Sequence, residues 1–112
     1  MWSRLGVELM PDASDLLNAV EHLEPVILTA LPRDNAERAA KHKRDWVSNH
    51  IGTYEVLTCQ TKDKPNFCKP GDVLIDDRAI NRDAWLAKGG TYIIHTTAER
   101  TIGTLQALGI ID

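Results

Sequence analysis

Asp72-Val73-Leu74-Ile75-Asp76-Asp77-Arg78 decides the fold. Three apolar residues run directly into two adjacent carboxylates. A short apolar run of this kind suits a strand buried on both faces of a parallel sheet. Carboxylates at the carboxyl end of such a strand fall where open α/β sheets bind their ligands. Two like charges side by side repel unless a cation or a basic group joins them, and Mg²⁺ is held by oxygen ligands of this type. Asp76 and Asp77 are therefore candidate metal ligands. Either one equally suits the N-cap of a helix starting near Ala79, and the two roles can coexist.

Working outward, short apolar runs alternate with longer amphipathic stretches, the pattern of βα units. Asp12 stands where it would cap a helix over Ala13–His22, whose Leu16, Leu17, Val20 and Leu23 form one apolar stripe. Pro25 ends that element, and Val26–Thr29 reads as a buried strand. A helix rich in Ala, Lys and Arg follows from Ala36 to about His50, with Ala39, Ala40, Trp46 and Val47 as its contacts and Gly52 as its stop. Tyr54–Cys59 is the next strand, and Gln60–Gly71 a loop. After the Val73–Ile75 strand come a helix over Ala79–Lys88, the pair Gly89-Gly90 and a last strand, Thr91–Ile94. Thr96 and Glu99 have the spacing of a capping box for the final helix, with Ile102, Leu105 and Leu108 facing inward. Four strands joined by crossovers predict an α/β fold: a three-layer sandwich around a mostly parallel, Rossmann-like sheet, spanning residues 1–112 as one domain.

Composition narrows the function. The chain has 112 residues, with 13 basic against 16 acidic side chains and a formal net charge of −3, so it offers no basic field for nucleic acid or anionic membrane. No apolar run approaches a bilayer span, and Met1–Gly6 lacks the apolar core of a signal peptide. Cys59 and Cys68 are too few for a disulfide scaffold and fit no common zinc spacing, as expected of reduced thiols in a cytoplasmic protein. His22, His42, His50 and His95 are scattered and read as surface or capping residues, while Trp2, Trp46 and Trp85 read as core anchors.

Polar groups mark three strand ends in chain order. Thr29 offers a hydroxyl, and with the backbone N–H of Ala30 it makes a donor cluster able to hold a phosphate oxygen. Lys62, Lys64 and Lys69 follow the second strand, where a lysine can neutralise a phosphoryl group. Asp76 and Asp77 end the third. Each alone has an ordinary explanation (an ST-turn, a solvated basic loop, a cap), but all three belong to one edge of one sheet.

This order, Val26-Ile27-Leu28-Thr29, then a lysine, then Asp72–Arg78, resembles the haloacid dehalogenase (HAD) superfamily of phosphohydrolases, nearest the 5'(3')-deoxyribonucleotidase branch and its bacterial and phage relatives. Trp46-Val47, Thr61-Lys62-Asp63-Lys64, Lys69-Pro70-Gly71-Asp72, Gly89-Gly90 and Thr101–Leu105 carry the likeness from about Pro11 to Ile110. The resemblance implies that Thr29 and Ala30 bind a phosphoryl oxygen. It makes Lys64 the family lysine, with Lys69 as the alternative, and gives Asp76 and Asp77 a Mg²⁺ ion. The substrate would be a phosphorylated small molecule or nucleotide.

These enzymes carry an Asp-x-Asp signature at the end of the central strand, supplying the nucleophile and the general acid/base. Nothing before Thr29 has that form, since Asp12 and Asp15 follow no apolar run and suit a helix N-terminus. Met1–Leu5 resembles the point where the small cap rejoins the core. The expectation is thus a HAD-like sheet incomplete at its central strand. Pairing of the flanking strands, a homo-oligomer or a complementing N-terminal chain would then complete it. Two functions follow: a truncated or split phosphatase, inactive alone, or a non-catalytic nucleotide- or protein-binding module. A third, a phosphatase using Asp34 or Asp63, lacks strand-end placement.

Overall fold

A computed structural model describes residues 4–112; Met1, Trp2 and Ser3, and with them the expectation for Trp2, lie outside the described residues. Five strands, β1 (Leu5–Val7), β2 (Val26–Ala30), β3 (Glu55–Cys59), β4 (Val73–Asp76) and β5 (Thr91–Ile94), form one sheet in the order β3-β2-β1-β4-β5. Every neighbouring pair is parallel. The helices are α1 (Ala13–Val20), α2 (Ala36–His50), α3 (Arg82–Ala87) and α4 (Ala98–Ala107), with 3₁₀ turns at Glu21–Leu23 and Thr61–Phe67. The α/β class and the parallel, Rossmann-like sheet agree with the expectation from sequence.

The missing central strand does not. Leu5–Val7 occupies that position itself, pairing Val7 with Ile27 on one side and with Ile75 on the other. There is no gap, β2 and β4 do not pair directly, and no donated strand is needed at the centre. Arg4 and Leu5 lead into the core strand rather than out of a cap.

Alternation along the strands sorts their side chains onto two faces. Leu5, Val7, Ile27, Val73, Ile75 and Ile93 pack with Leu16, Leu17 and Val20 of α1, Val47 of α2 and Leu105 of α4. On the opposite face Leu28, Leu74 and Tyr92 pack with Trp85 of α3 and Cys68. The chain winds outward from β1 through β2 to β3, then returns to β4 and winds the other way to β5. Right-handed crossovers in opposite directions require the connecting helices to lie on opposite faces, as α1 and α2 do relative to α3. The order reverses between β1 and β4, and the carboxyl ends of those two strands are where such a sheet builds a site.

Several local expectations are revised. Asp12 makes no side-chain cap for α1. Its Oδ2 instead accepts from the Ala98 N–H at 2.7 Å, and its Oδ1 lies 2.7 Å from His95 Nε2. His95 is buried, and its Nδ1 lies 2.7 Å from Thr101 Oγ1. A carboxylate at the start of α1 thus satisfies the start of α4, joining two helices far apart in sequence. Thr97, not Thr96, is the N-cap of α4, accepting from the Arg100 N–H. Asn81 precedes α3, so neither Asp76 nor Asp77 caps that helix. Trp46 is 47% exposed and lies against His50, whereas Trp85 is buried with its indole N–H donating to the Asp72 carbonyl. No helix among the described residues is long and apolar enough to cross a membrane.

Two predictions follow from these contacts. Burial pulls the Asp12 carboxyl upward, but its bonds to His95 and Ala98 outweigh this and leave it below the ordinary value of 3.8. A depressed carboxyl stabilises the fold above the unfolded value and loses that contribution as pH falls through the folded one. Asp12→Ala should therefore cost about 1 kcal/mol, the solvent-screened worth of a carboxylate that is 32% exposed, in urea unfolding at neutral pH, with the gap to the parent chain closing as pH drops below 3.8. A gap independent of acid pH would rule out the pairing as its source. At Gly90 an added Cβ would clash with Trp85 Nε1 and meet Cys68 Sγ at 2.6 Å. Gly90→Ala should then destabilise by about 1–3 kcal/mol in the same measurement, through overpacking against a hydrogen-bonded indole.

Candidate functional site at the carboxyl edge

At the switch point Glu8 directly follows β1, and its N–H donates to the Ile75 carbonyl at 3.0 Å. This keeps the ladder with β4 intact one residue past the strand and sets Glu8 beside Asp76, the last residue of β4. Thr29 stands next to them on the other side, in β2. Lys64 comes from the 3₁₀ turn Thr61–Phe67, a stretch expected to be an open loop, where Pro65 is also buried.

Lys64 binds these strand ends together. Its ammonium donates to Glu8 Oε2 at 2.5 Å and to Asp76 Oδ2 at 2.6 Å. The side chains of Lys64, Glu8 and Asp76 are only 3%, 11% and 1% exposed. Burial alone drives an ammonium's pKa down, but Glu8 and Asp76 outweigh that effect and hold Lys64 above the ordinary lysine value. It is a fixed cation between two carboxylates.

Further bonds extend the cluster. The Thr29 hydroxyl donates to Glu8 Oε1 at 2.6 Å, the Leu9 N–H donates to the same oxygen at 3.0 Å, and the Ala30 N–H reaches Glu8 Oε2 at 3.3 Å. Lys43 of α2 donates to Thr29 Oγ1 at 2.8 Å and to the Ala30 carbonyl at 2.5 Å. Asp76 Oδ1 accepts from the Arg78 N–H at 3.1 Å, closing a tight turn after β4. The Tyr92 hydroxyl donates to the Arg78 carbonyl and steadies the same turn. Burial, then the charge of Asp76, raises the Tyr92 hydroxyl far above its ordinary range, so it serves as a donor.

Glu8, Leu9, Ala30, Lys43, Lys64, Asp76 and Arg78 line a cleft of about 270 Å³ bounded also by Thr61, Asp77, Ile80 and Asn81, with Thr29 fully buried behind Glu8. A larger groove of about 600 Å³ adjoins it, sharing Thr61, Ile80 and Asn81 and adding Arg33 and Lys62. The Asn81 side chain donates to the Thr61 carbonyl at 2.9 Å and holds the floor common to both.

Of the residues singled out in the sequence, Thr29, Ala30, Lys64 and Asp76 converge on this edge. Asp77 lines the cleft but is exposed. Lys69 is not brought there. It lies toward the amino ends of the strands with Arg4, Leu5 and Asp72, its backbone N–H donating to Asp72 Oδ2. Asp34 is exposed and lines neither cavity. Cys59 and Cys68 are free, and burial raises both thiols, which keeps them protonated. Among the described residues no group of three or more His, Cys, Asp and Glu side chains is arranged to hold a metal ion.

Glu8 and Lys43 were missed by reading the sequence. Leu5-Gly6-Val7-Glu8 repeats in miniature the signal of Val73-Leu74-Ile75-Asp76, a short apolar run ending in a carboxylate. Its three-residue length and central glycine concealed it. Lys43 lies within a charge run that reads as a solvated helix face, and nothing in its spacing sets it apart. No family model, characterised protein or solved structure matches the chain.

Removing the central cation tests the site's architecture. Lys64→Met should leave two carboxylates facing each other in a buried site and cost about 3–5 kcal/mol in denaturant unfolding. A loss under about 1 kcal/mol would mean that the ion pair is exposed in solution.

Proposed function

We propose that this chain is a HAD-like relative of the Mg²⁺-dependent phosphohydrolases, nearest in design to the 5'-nucleotidases, and silent in hydrolysis because Glu8 stands where those enzymes have a nucleophilic aspartate. The observation that carries this reading is the sharing of one buried ammonium, Lys64, between a carboxylate ending the central strand and one ending its neighbour. With Thr29 on the next strand, three of the residues that the family resemblance calls for, Thr29, Lys64 and Asp76, meet around Glu8, which supports this reading.

Two features argue for silence. A nucleophilic oxygen needs a lone pair free to attack, yet both Glu8 oxygens are engaged, each by two donors. Two residues on, where the family's general acid/base would lie, stands Met10, buried and without a transferable proton. Mg²⁺ commonly takes only one or two protein carboxylates, with waters and phosphate oxygens completing its shell. Asp76, each of whose oxygens accepts a single hydrogen bond, and the exposed Asp77 beside it would be the carboxylates to hold it. Bound there, the ion would neutralise charge on a phosphoryl group. The alternative, a non-catalytic module binding a nucleotide or another phosphorylated small molecule, gains support from the adjoining groove, whose Arg33 and Lys62 offer cationic partners beyond the phosphoryl position.

The test is turnover of p-nitrophenyl phosphate and of deoxynucleoside monophosphates with Mg²⁺. The parent chain should show none above background, since loss of an enzymatic nucleophile costs several orders of magnitude. Glu8→Asp should gain slow turnover of p-nitrophenyl phosphate, whose leaving group departs without a proton. The nucleotides should require Glu8→Asp combined with Met10→Asp. Turnover by the parent chain that Asp76→Asn abolishes would overturn the silent reading.

A further inference from the structure

The four donors around Glu8 are arranged as an anion site. Thr29 Oγ, the Leu9 N–H, the Ala30 N–H and the Lys64 ammonium approach the two carboxylate oxygens at 2.6, 3.0, 3.3 and 2.5 Å. Three of these, from Thr29, Ala30 and Lys64, are the groups suited by chemistry to a phosphoryl oxygen, and here all three are satisfied by the chain's own carboxylate. We propose that they form an oxyanion site with Glu8 as its built-in occupant. A tetrahedral oxyanion, inorganic phosphate or the phosphoryl end of an ester, enters only when the Glu8 carboxylate is withdrawn.

Buried donors must be satisfied, and leaving one unpaired costs on the order of 1–3 kcal/mol. Glutamate is one methylene longer than aspartate, and that reach brings its oxygens to Thr29 and Ala30 while it still shares Lys64 with Asp76. The site is not sealed, for Glu8 lines the cleft of about 270 Å³. Three cationic side chains, Lys43, Lys64 and Arg78, line that cleft against three anionic ones, Glu8, Asp76 and Asp77. With Glu8 in place the charges balance. Without it one positive charge is in excess and Lys43 lies beside the vacated donors, hydrogen-bonded to Thr29. An internal ligand of this kind lowers the apparent affinity for an external one by the fraction of time it holds the site.

The inference rests on reading this edge as a phosphoryl site, but its test reads binding instead of turnover. Inorganic phosphate is titrated into the parent chain, Glu8→Ala and Glu8→Gln in chloride-free buffer by calorimetry, with the amide resonances of Leu9 and Ala30 followed by NMR. Glu8→Ala should bind phosphate at least about tenfold more tightly than the parent, with both amides shifting. Glu8→Gln, which fills the same space without charge, should not gain affinity. Adding Thr29→Val to Glu8→Ala should reverse the gain. A folded Glu8→Ala chain no tighter than the parent would overturn the proposal. If Glu8→Ala does not fold, Glu8→Asp decides: its shorter side chain should withdraw from Thr29 and Ala30 and raise phosphate affinity, and no rise refutes the idea. Turnover gained by Glu8→Asp with no phosphate gain in a folded Glu8→Ala would spare the phosphohydrolase reading and sink this one.

Discussion

One ammonium between two carboxylates governs the arrangement of this molecule. Removing three charged groups from water is costly, and mutual attraction offsets that cost only when the geometry is good and the remaining lone pairs are used. Here they are: Glu8 takes bonds from Thr29, Leu9 and Ala30, and Asp76 takes one from the Arg78 N–H. The cluster thereby ties the ends of β1, β2 and β4 to the 3₁₀ turn that carries Lys64. Each segment reaches its place through a different stretch of chain, so the site checks the register of all of them together. A one-residue slip in β1 would turn Glu8 to the other face and leave Lys64 with half its charge complement.

Much of the fold could be read from residues whose signals are local. The span of α2 and the strand Thr91–Ile94 agree with expectation because composition, stop signals and flanking glycines all act within a few positions. What was not legible depended on partners far away. Asp12 has every mark of an N-cap for its own helix, yet its carboxylate serves Ala98 and His95. Trp46 sits in a helix whose buried positions are few, and a large apolar side chain is no guarantee of burial when the helix has only a narrow inward stripe.

The site was legible to the same degree. Thr29, Lys64 and Asp76 lie at strand ends or in the loop between them, and the fold brings all three to one edge. Glu8 was not legible because the strand before it has only three residues with a glycine at its centre, too short a run to show a period. Lys69 was a reasonable alternative by sequence distance, but the chain has to travel back to the amino edge of the sheet before β4 can begin. Every residue just before a parallel strand is carried to that opposite edge, and proximity in sequence to Asp72 therefore argues against a place in the site.

The position of β1 also bears on how the molecule assembles. A strand paired on both sides by strands that come later in the chain has no partner of its own making. Val7 meets Ile27 across one helical connection, but it meets Ile75 only after β3, α2 and the 3₁₀ turn have all been threaded between. Closing so large a loop is entropically expensive and earns little until the full sheet is present. Being so short, β1 cannot hold the β1–β2 pair together alone. The sheet's centre should thus be among the last parts to become ordered during folding, and its two buried carboxylates should stay in contact with water until Lys64 arrives.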